Sequence, residues 1–398
     1  MNKPGNTLPS SNDNDHLRAM IIAGDPSGDI HSSHVVKALK ERQPHCAIFG
    51  IGGEKMVSAG FETLFPLEKM AVMGFIEVLK HLKFFADVNR RLLEVIEQRK
   101  PQVIVLVDYP GFNIRFAQRF RQRFHTQHDY KPKLLYFISP QVWAWKPNRI
   151  NIIARVMDFM AVAFPFEVEL YQKAGLPVEF VGHPLLDLPD PRSKEELFRV
   201  AGIGADSIPI AILSGSRIQE VERHLPVFLE AFSKLNHEHP KLYSLVAASD
   251  NIPMEFYQRF IPKNLKICVL QGWTREIMAH SHAACVVSGT ATVETALFGT
   301  PSVIAYKTNP LTYWIAKQVV RVPYIGMVNI LAGDRIVNEL IQNQVTPENL
   351  AQEMESLIYD KTRRNTMIAN LQQIRSQLGQ PGAGQRVAEK ILELANAN

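Results

Sequence analysis

Apolar runs of four to six residues, rich in β-branched side chains, recur along the chain and alternate with stretches of helical spacing. In the first half, the runs at 18–23, 47–50, 103–108, 134–138, 159–163 and 178–181 read as strands. Helical spacing follows the first through Val35, Val36 and Leu39, and the third through Phe116 and Phe120. A second series at 208–213, 244–248, 266–270 and 284–287 repeats the rhythm. This alternation predicts an α/β chain with two parallel sheets, one in each half. Pro184, Pro189 and Pro191 interrupt the pattern. The expected domains are therefore 17–187 and 208–360, with a linker at 188–207. Helices are expected over 347–359, 361–378 and 385–396, with 361–398 packing back on the first domain or on a partner chain. Residues 381–384 read as a flexible joint, 328–333 as a short turn, and a helix is expected from Ile336. The polar stretch 1–16 has no apolar segment of a signal peptide and reads as a disordered tail.

The stretch 66–86 breaks the pattern. It interleaves Met70, Met73, Phe75, Phe84 and Phe85 with Lys69, Lys80, His81 and Lys83. It is too charged and too short to cross a bilayer. It suits an amphipathic helix pair whose greasy face either meets acyl chains and a membrane surface or is simply core.

Composition narrows the classes. A length of 398 residues supports two cores. The net charge of +5 fits anionic substrates or an acidic membrane surface, without the dense Lys/Arg clustering of a nucleic-acid binder. Cys46, Cys268 and Cys285 lie far apart with no CxxC spacing, so neither a disulfide framework nor a zinc site is expected, and a reducing cytoplasm suits the chain. There is no HExxH, and His31 and His34 read as helix surface. No metal or cofactor is expected.

The chemistry concentrates after the strands. Ser214, Gly215 and Ser216 form a turn between a buried strand and a helix opening at Arg217, with further helical packing after Pro226. Free N–H groups and the positive helix end make an anion seat there, and the Arg217 fork can grip phosphate oxygens. The plainer reading is a capped turn whose Arg pairs with a surface carboxylate. Ser288, Gly289 and Thr290 repeat the turn, and Glu294 can reach two vicinal ribose hydroxyls or can simply favour its helix. Together the turns suggest a nucleotide-sugar domain. In the first half, Asp108 ends a buried strand, where open α/β sheets place their active groups. It can act as general base or cap the following turn. Ser27 sits in a Gly-bearing loop whose spacing is not a dinucleotide fingerprint, so it is expected to face substrate. Gln141 and Trp143 suit a sugar platform, or Trp143 is buried over the core. Asn329, polar in an apolar context, is expected to be hydrogen-bonded.

Ala23-Gly-Asp-Pro-Ser-Gly-Asp29, Gly52-Gly-Glu-Lys-Met56, Met73-Gly-Phe-Ile-Glu-Val78, Pro140-Gln-Val-Trp-Ala-Trp145, Gly182-His-Pro184, Leu213-Ser-Gly-Ser-Arg217, Ser288-Gly-Thr-Ala-Thr-Val-Glu294 and Asn329-Ile-Leu-Ala-Gly333 run in order along nearly the whole chain. Together they resemble the lipid-A-disaccharide synthase family of glycosyltransferases. Ser214 stands where the family commonly has Pro, and Asp25-Pro26 where it often has Glu-Ala. The resemblance implies a GT-B fold, two Rossmann-like domains with a cleft between them. It implies inverting transfer of 2,3-diacylglucosamine from its UDP derivative to the 6-hydroxyl of 2,3-diacylglucosamine 1-phosphate (lipid X). It implies Asp108 as base, Arg217 and the neighbouring N–H groups of the Ser214–Ser216 turn on the departing diphosphate, Glu294 on ribose with Ser288, Gly289 and Thr290 in the same UDP-sugar site, and Asn329 as a polar cleft position. Acyl chains and the inner face of the inner membrane would meet Met73, Phe75, Phe84 and Phe85. The family also suggests a homodimer with exchanged C-terminal segments. Two other readings compete: an epimerase of UDP-N-acetylglucosamine, which needs no greasy segment, and a non-catalytic binding protein, in which Asp108 is dispensable.

Overall fold

The computed structural model describes residues 16–67, 70, 82–124, 130–320 and 322–397. The chain divides into two compact units, one of residues up to Leu188 together with Leu378 onward, the other Pro189–Gln377. The chain crosses between the units at Leu188–Pro189 and again at Gln377–Leu378. Within 188–207, where a linker was expected, the helix Lys194–Ala201 is N-capped by Ser193 and packs its Leu197 and Phe198 into the core of the second unit.

In the first unit, β1 (Arg18–Ala23), β2 (Ala47–Gly52), β3 (Glu62–Pro66), β4 (Val103–Val107), β5 (Lys133–Phe137), β6 (Phe159–Val162) and β7 (Val178–Phe180) form one parallel sheet in the order β3-β2-β1-β4-β5-β6-β7. The central strands are apolar on both faces because helices cover both; all five residues of β4 are buried. Two apolar cores lie on either side of the sheet. Strand order reverses between β1 and β4, the position where open α/β sheets hold ligands.

In the second unit, β8 (Ile208–Leu213), β9 (Leu242–Ala248), β10 (Ile267–Gln271), β11 (Ala283–Val287), β12 (Ser302–Tyr306) and β13 (Asn338–Ile341) form a second parallel sheet, β10-β9-β8-β11-β12-β13. Its order reverses between β8 and β11. The strand β13 stands where a helix from Ile336 was expected, and Met327–Ala332 is a helix where a turn was expected. Both segments are too short for their period to decide the type. The helix after β8 runs unbroken over Ile218–Glu238, with Pro226 inside it. Two short helices, Val142–Trp145 and Asn148–Val156, follow β5.

Of the C-terminal helices, Lys361–Gln377 belongs to the second unit and only Ala383–Asn396 to the first. This last helix buries Val387, Ala388 and Ile391 in the same core as Val35, Val36 and Leu39. Residues 381–384 are not a loose joint. The Asp187 carboxylate accepts the N–H groups of Gly382, Ala383 and Gly384 at 2.5, 3.1 and 2.8 Å, which caps the helix. The Gly182-His-Pro184 motif receives the same segment: His183 N–H donates to Leu378 C=O at 2.9 Å, and Arg386 Nε donates to Val181 C=O at 2.7 Å. His31, expected on a helix surface, is buried, and burial lowers its pKa to about 4.

Candidate functional site

At the reversal of the first sheet, Ala23 pairs with Val107, so β1 and β4 end level and release Gly24-Asp25 and Asp108 side by side. The predicted loop is only these two residues long, because Pro26 already opens the helix Pro26–Arg42. Asp25 caps that helix by accepting the Gly28 N–H at 2.6 Å, and burial raises its pKa. Ser27 lies exposed in the first turn. Gly24 is required sterically: a Cβ there would stand 2.4 Å from the Tyr109 ring.

Asp108 and Tyr109 both have left-handed backbones, at φ 40° and 48°, an uncommon conformation for residues with side chains. Buried groups hold it: Asn113 Nδ2 donates to the carbonyls of Val107 at 3.0 Å and Asp108 at 2.8 Å, and Tyr136 OH donates to Asp108 C=O at 2.6 Å. Burial, then repulsion from Asp25, pushes the Asp108 carboxyl up to about 7. A carboxylate that titrates near neutrality is matched to a general base.

Beyond β5, Trp143 is half-buried and not an open platform. Its Nε1–H donates to Glu167 Oε1 at 3.0 Å, and its ring meets Phe166 edge-on at 5.0 Å. The Trp143 indole is thus committed to the protein. Glu167, which the sequence reading passed over, is fully buried, and burial pushes it up to about 8. Gln141 is exposed just before Val142–Trp145. Phe84 and Phe85 are half-buried and pack on the first core, Phe85 lying 6.0 Å from Phe112. Their packing fits the core reading. Met73 and Phe75 lie outside the described residues.

In the second unit, Leu213 pairs with Val286, so the Ser214–Arg217 and Ser288–Thr290 turns leave the sheet level with each other at its reversal. Gly215 has φ 110°, which only glycine adopts cheaply. The N–H groups of this turn are not free. Those of Ser216 and Arg217 donate to Glu220 Oε2 at 3.0 and 3.3 Å, and Arg217 Nη1 lies 2.9 Å from Glu220 Oε1. Glu220 thus occupies the donors an anion would need, which is the capped-turn arrangement with Arg217 paired to a carboxylate. The Ser214 hydroxyl is wholly buried, with no hydrogen-bond partner among the described residues. Buried His224 steadies the turn: its Nε2 accepts the Lys307 N–H at 2.9 Å, leaving Nδ1–H to donate to Glu220 C=O at 2.8 Å.

At the other turn, Ser288 Oγ donates to Ile325 C=O at 2.9 Å, while Gly289 and Thr290 are exposed at the start of the helix Thr290–Leu297. Glu294 lies 3.1 Å from Arg275 through Oε1; burial raises its pKa and Arg275 opposes the rise. Asn329 is not a cleft group. Wholly buried, it donates through Nδ2 to Val337 C=O and Glu339 Oε1, both at 2.8 Å, and accepts the Val337 N–H at 2.9 Å. Its amide has no donor left for a sugar.

The sequence profile of the lipid-A-disaccharide synthetase family matches residues 19–392. The lipid-A-disaccharide synthase of Geobacter metallireducens is 39% identical over 95% of this chain and 97% of its own length. That of Coxiella burnetii is 35% identical over 94% and 98%. Among solved structures, a UDP-N-acetylglucosamine 2-epimerase from Neisseria meningitidis aligns over 95% of this chain and all of its own with a TM-score of 0.64 at 14% identity. A calicheamicin glycosyltransferase aligns over 95% and 98% with a TM-score of 0.60, also at 14%. At that identity the structures establish the shared GT-B type of fold. With relatives this similar over nearly its full length, the chain belongs to the lipid-A-disaccharide synthase family and is a glycosyltransferase.

Proposed function

We propose that Asp108 and Arg217 carry the two halves of the family's reaction, the transfer of 2,3-diacylglucosamine from its UDP derivative to the 6-hydroxyl of lipid X. Asp108 accepts the proton of that hydroxyl as its oxygen attacks the anomeric carbon from the side opposite UDP, which inverts the configuration. The leaving diphosphate displaces Glu220 and takes over the N–H groups of Ser216 and Arg217, the Arg217 guanidinium and the open helix end at Gly289 and Thr290. Glu294 offers ribose the carboxylate oxygen that Arg275 leaves unused. The observation that carries this reading is Asp108 itself, held at the reversal of the first sheet with a pKa of about 7. Exposed Ser27 and Gln141 remain candidates for acceptor contacts. Both substrates carry acyl chains, so the chain works at the inner face of the inner membrane as a peripheral protein. A dimer made by exchange of the last helix would keep every Asp187 contact, only between chains.

The test is a transfer assay with both lipid substrates in the presence of EDTA. Disaccharide and UDP should form in equal amounts, Asp108→Asn should abolish turnover, and Arg217→Ala should lower it ~100-fold with the fold intact. A soluble sugar epimerised without lipid acceptor, or full turnover by Asp108→Asn, would sink the proposal.

A further inference from the structure

The helix Pro310–Val319 of the second unit has no role in the chemistry above. Eight large apolar side chains are exposed among the described residues, and four of them fall in ten positions here: Leu311, Trp314, Val319 and Val320. Leu311 and Trp314, one helical turn apart and so on one face, are 65% and 62% exposed. A folded chain seldom leaves a tryptophan and a leucine together in water unless the face is used.

Charge says what the face meets. From 295 to 333 the sequence carries Lys307, Lys317 and Arg321 and no acidic residue at all. Lys317 is exposed three positions after Trp314. Apolar anchors, an indole and a flexible cation one turn away are the combination that seats a helix in the headgroup region of a bilayer, with the lysine stem lying along the apolar surface and its ammonium reaching lipid phosphate. A second copy of the same face would set these lysines against their like, whereas anionic headgroups complement them. Ten residues reach about 15 Å, half of a hydrocarbon core, so the helix lies in the surface and does not cross it.

We propose that the Leu311–Trp314 face docks the second unit onto an anionic lipid surface. The inference rests on the proposed function only for the membrane's relevance, and its test needs no substrate. The full chain is sedimented with vesicles of phosphatidylethanolamine and phosphatidylglycerol, and with phosphatidylcholine vesicles as the neutral reference. Binding should favour the anionic vesicles, weaken with salt, and fall at least ~5-fold in Leu311→Ser/Trp314→Ser. The chain has four tryptophans, so the Trp314 signal is the emission of the wild type minus that of Trp314→Phe; it should shift to the blue on anionic vesicles. Turnover of detergent-dispersed substrates by the double variant should be unchanged.

Vesicle binding by the folded double variant equal to the wild type, or an unmoved Trp314 emission, overturns the proposal. So does a change of oligomeric state in the double variant, which would make the face a contact between copies. Loss of turnover in detergent would assign the face to the sugar site instead and overturns it too. Should the wild type form no disaccharide yet bind vesicles through this face, the reaction fails and the docking surface stands.

Discussion

Glu220 Oε1 lies 2.9 Å from Arg217 Nη1, three residues apart across the start of one helix, while its other oxygen holds the backbone of the preceding turn. A carboxylate and a diphosphate compete for the same donors. Glu220→Gln keeps an acceptor for the turn but removes the charge, so UDP should bind several-fold more tightly, on the scale of an exposed ion pair of ~0.2–1 kcal/mol. Isothermal titration with UDP checks this. Unchanged or weaker binding would mean that the nucleotide does not use this seat.

As the proposed base, Asp108 sets the expected pH dependence of transfer. Its pKa of about 7 predicts that kcat/KM rises with pH through neutrality as the base loses its proton. Asp25 contributes repulsion to that pKa, so Asp25→Asn, which still offers a cap to Gly28, should move the rise to lower pH. A profile that does not move in the variant would separate the two carboxylates.

Glu167 acts on stability, not on the reacting atoms. Its pKa is raised in the folded chain, so the folded state holds a proton that the unfolded state gives up between the ordinary value of 4.5 and about 8. That contribution is fully present below pH 4.5 and is lost as pH rises through 8. Glu167→Gln mimics the neutral form, and should therefore flatten the fall in melting temperature between pH 6 and 9. Equal slopes in the two proteins would refute a protonated Glu167.

Asn329→Ala should behave as a core lesion. It strips partners from Val337 and Glu339 in a buried network, a loss of about 2–4 kcal/mol. Denaturant unfolding should register it, and the protein that still folds should keep its turnover. A dead enzyme of undiminished stability would return Asn329 to the substrate.

Asp187→Ala removes the cap on the C-terminal helix and should release it before the first unit unfolds, read as lost amide protection over Ala383–Asn396. Protection like that of the wild type would show that Val387, Ala388 and Ile391 hold the helix without the cap.

The sequence by itself determined most of the strands, since each long apolar run is a local signal bounded by turn residues, but it missed the half-exposed edge strand β3 as well as β13. It also determined the family, through motifs spread along the chain, and the two turns of the second unit, whose Gly and Ser residues announce a strand meeting a helix. Its errors came where short segments carry no clear period, as at β13 and Met327–Ala332. What only the tertiary structure decided is how the polar side chains are used. Asp29 lies 24 residues from Gly53 in sequence, yet its carboxylate accepts the N–H groups that open Glu54–Ser58, which gives the Gly52–Met56 motif a structural purpose. Trp143 found Glu167, Asn329 found Glu339, and Asp187 found Gly382 across 195 residues. A residue type states which hydrogen bonds a side chain can make, but only the folded chain brings one partner within 3 Å and denies the rest.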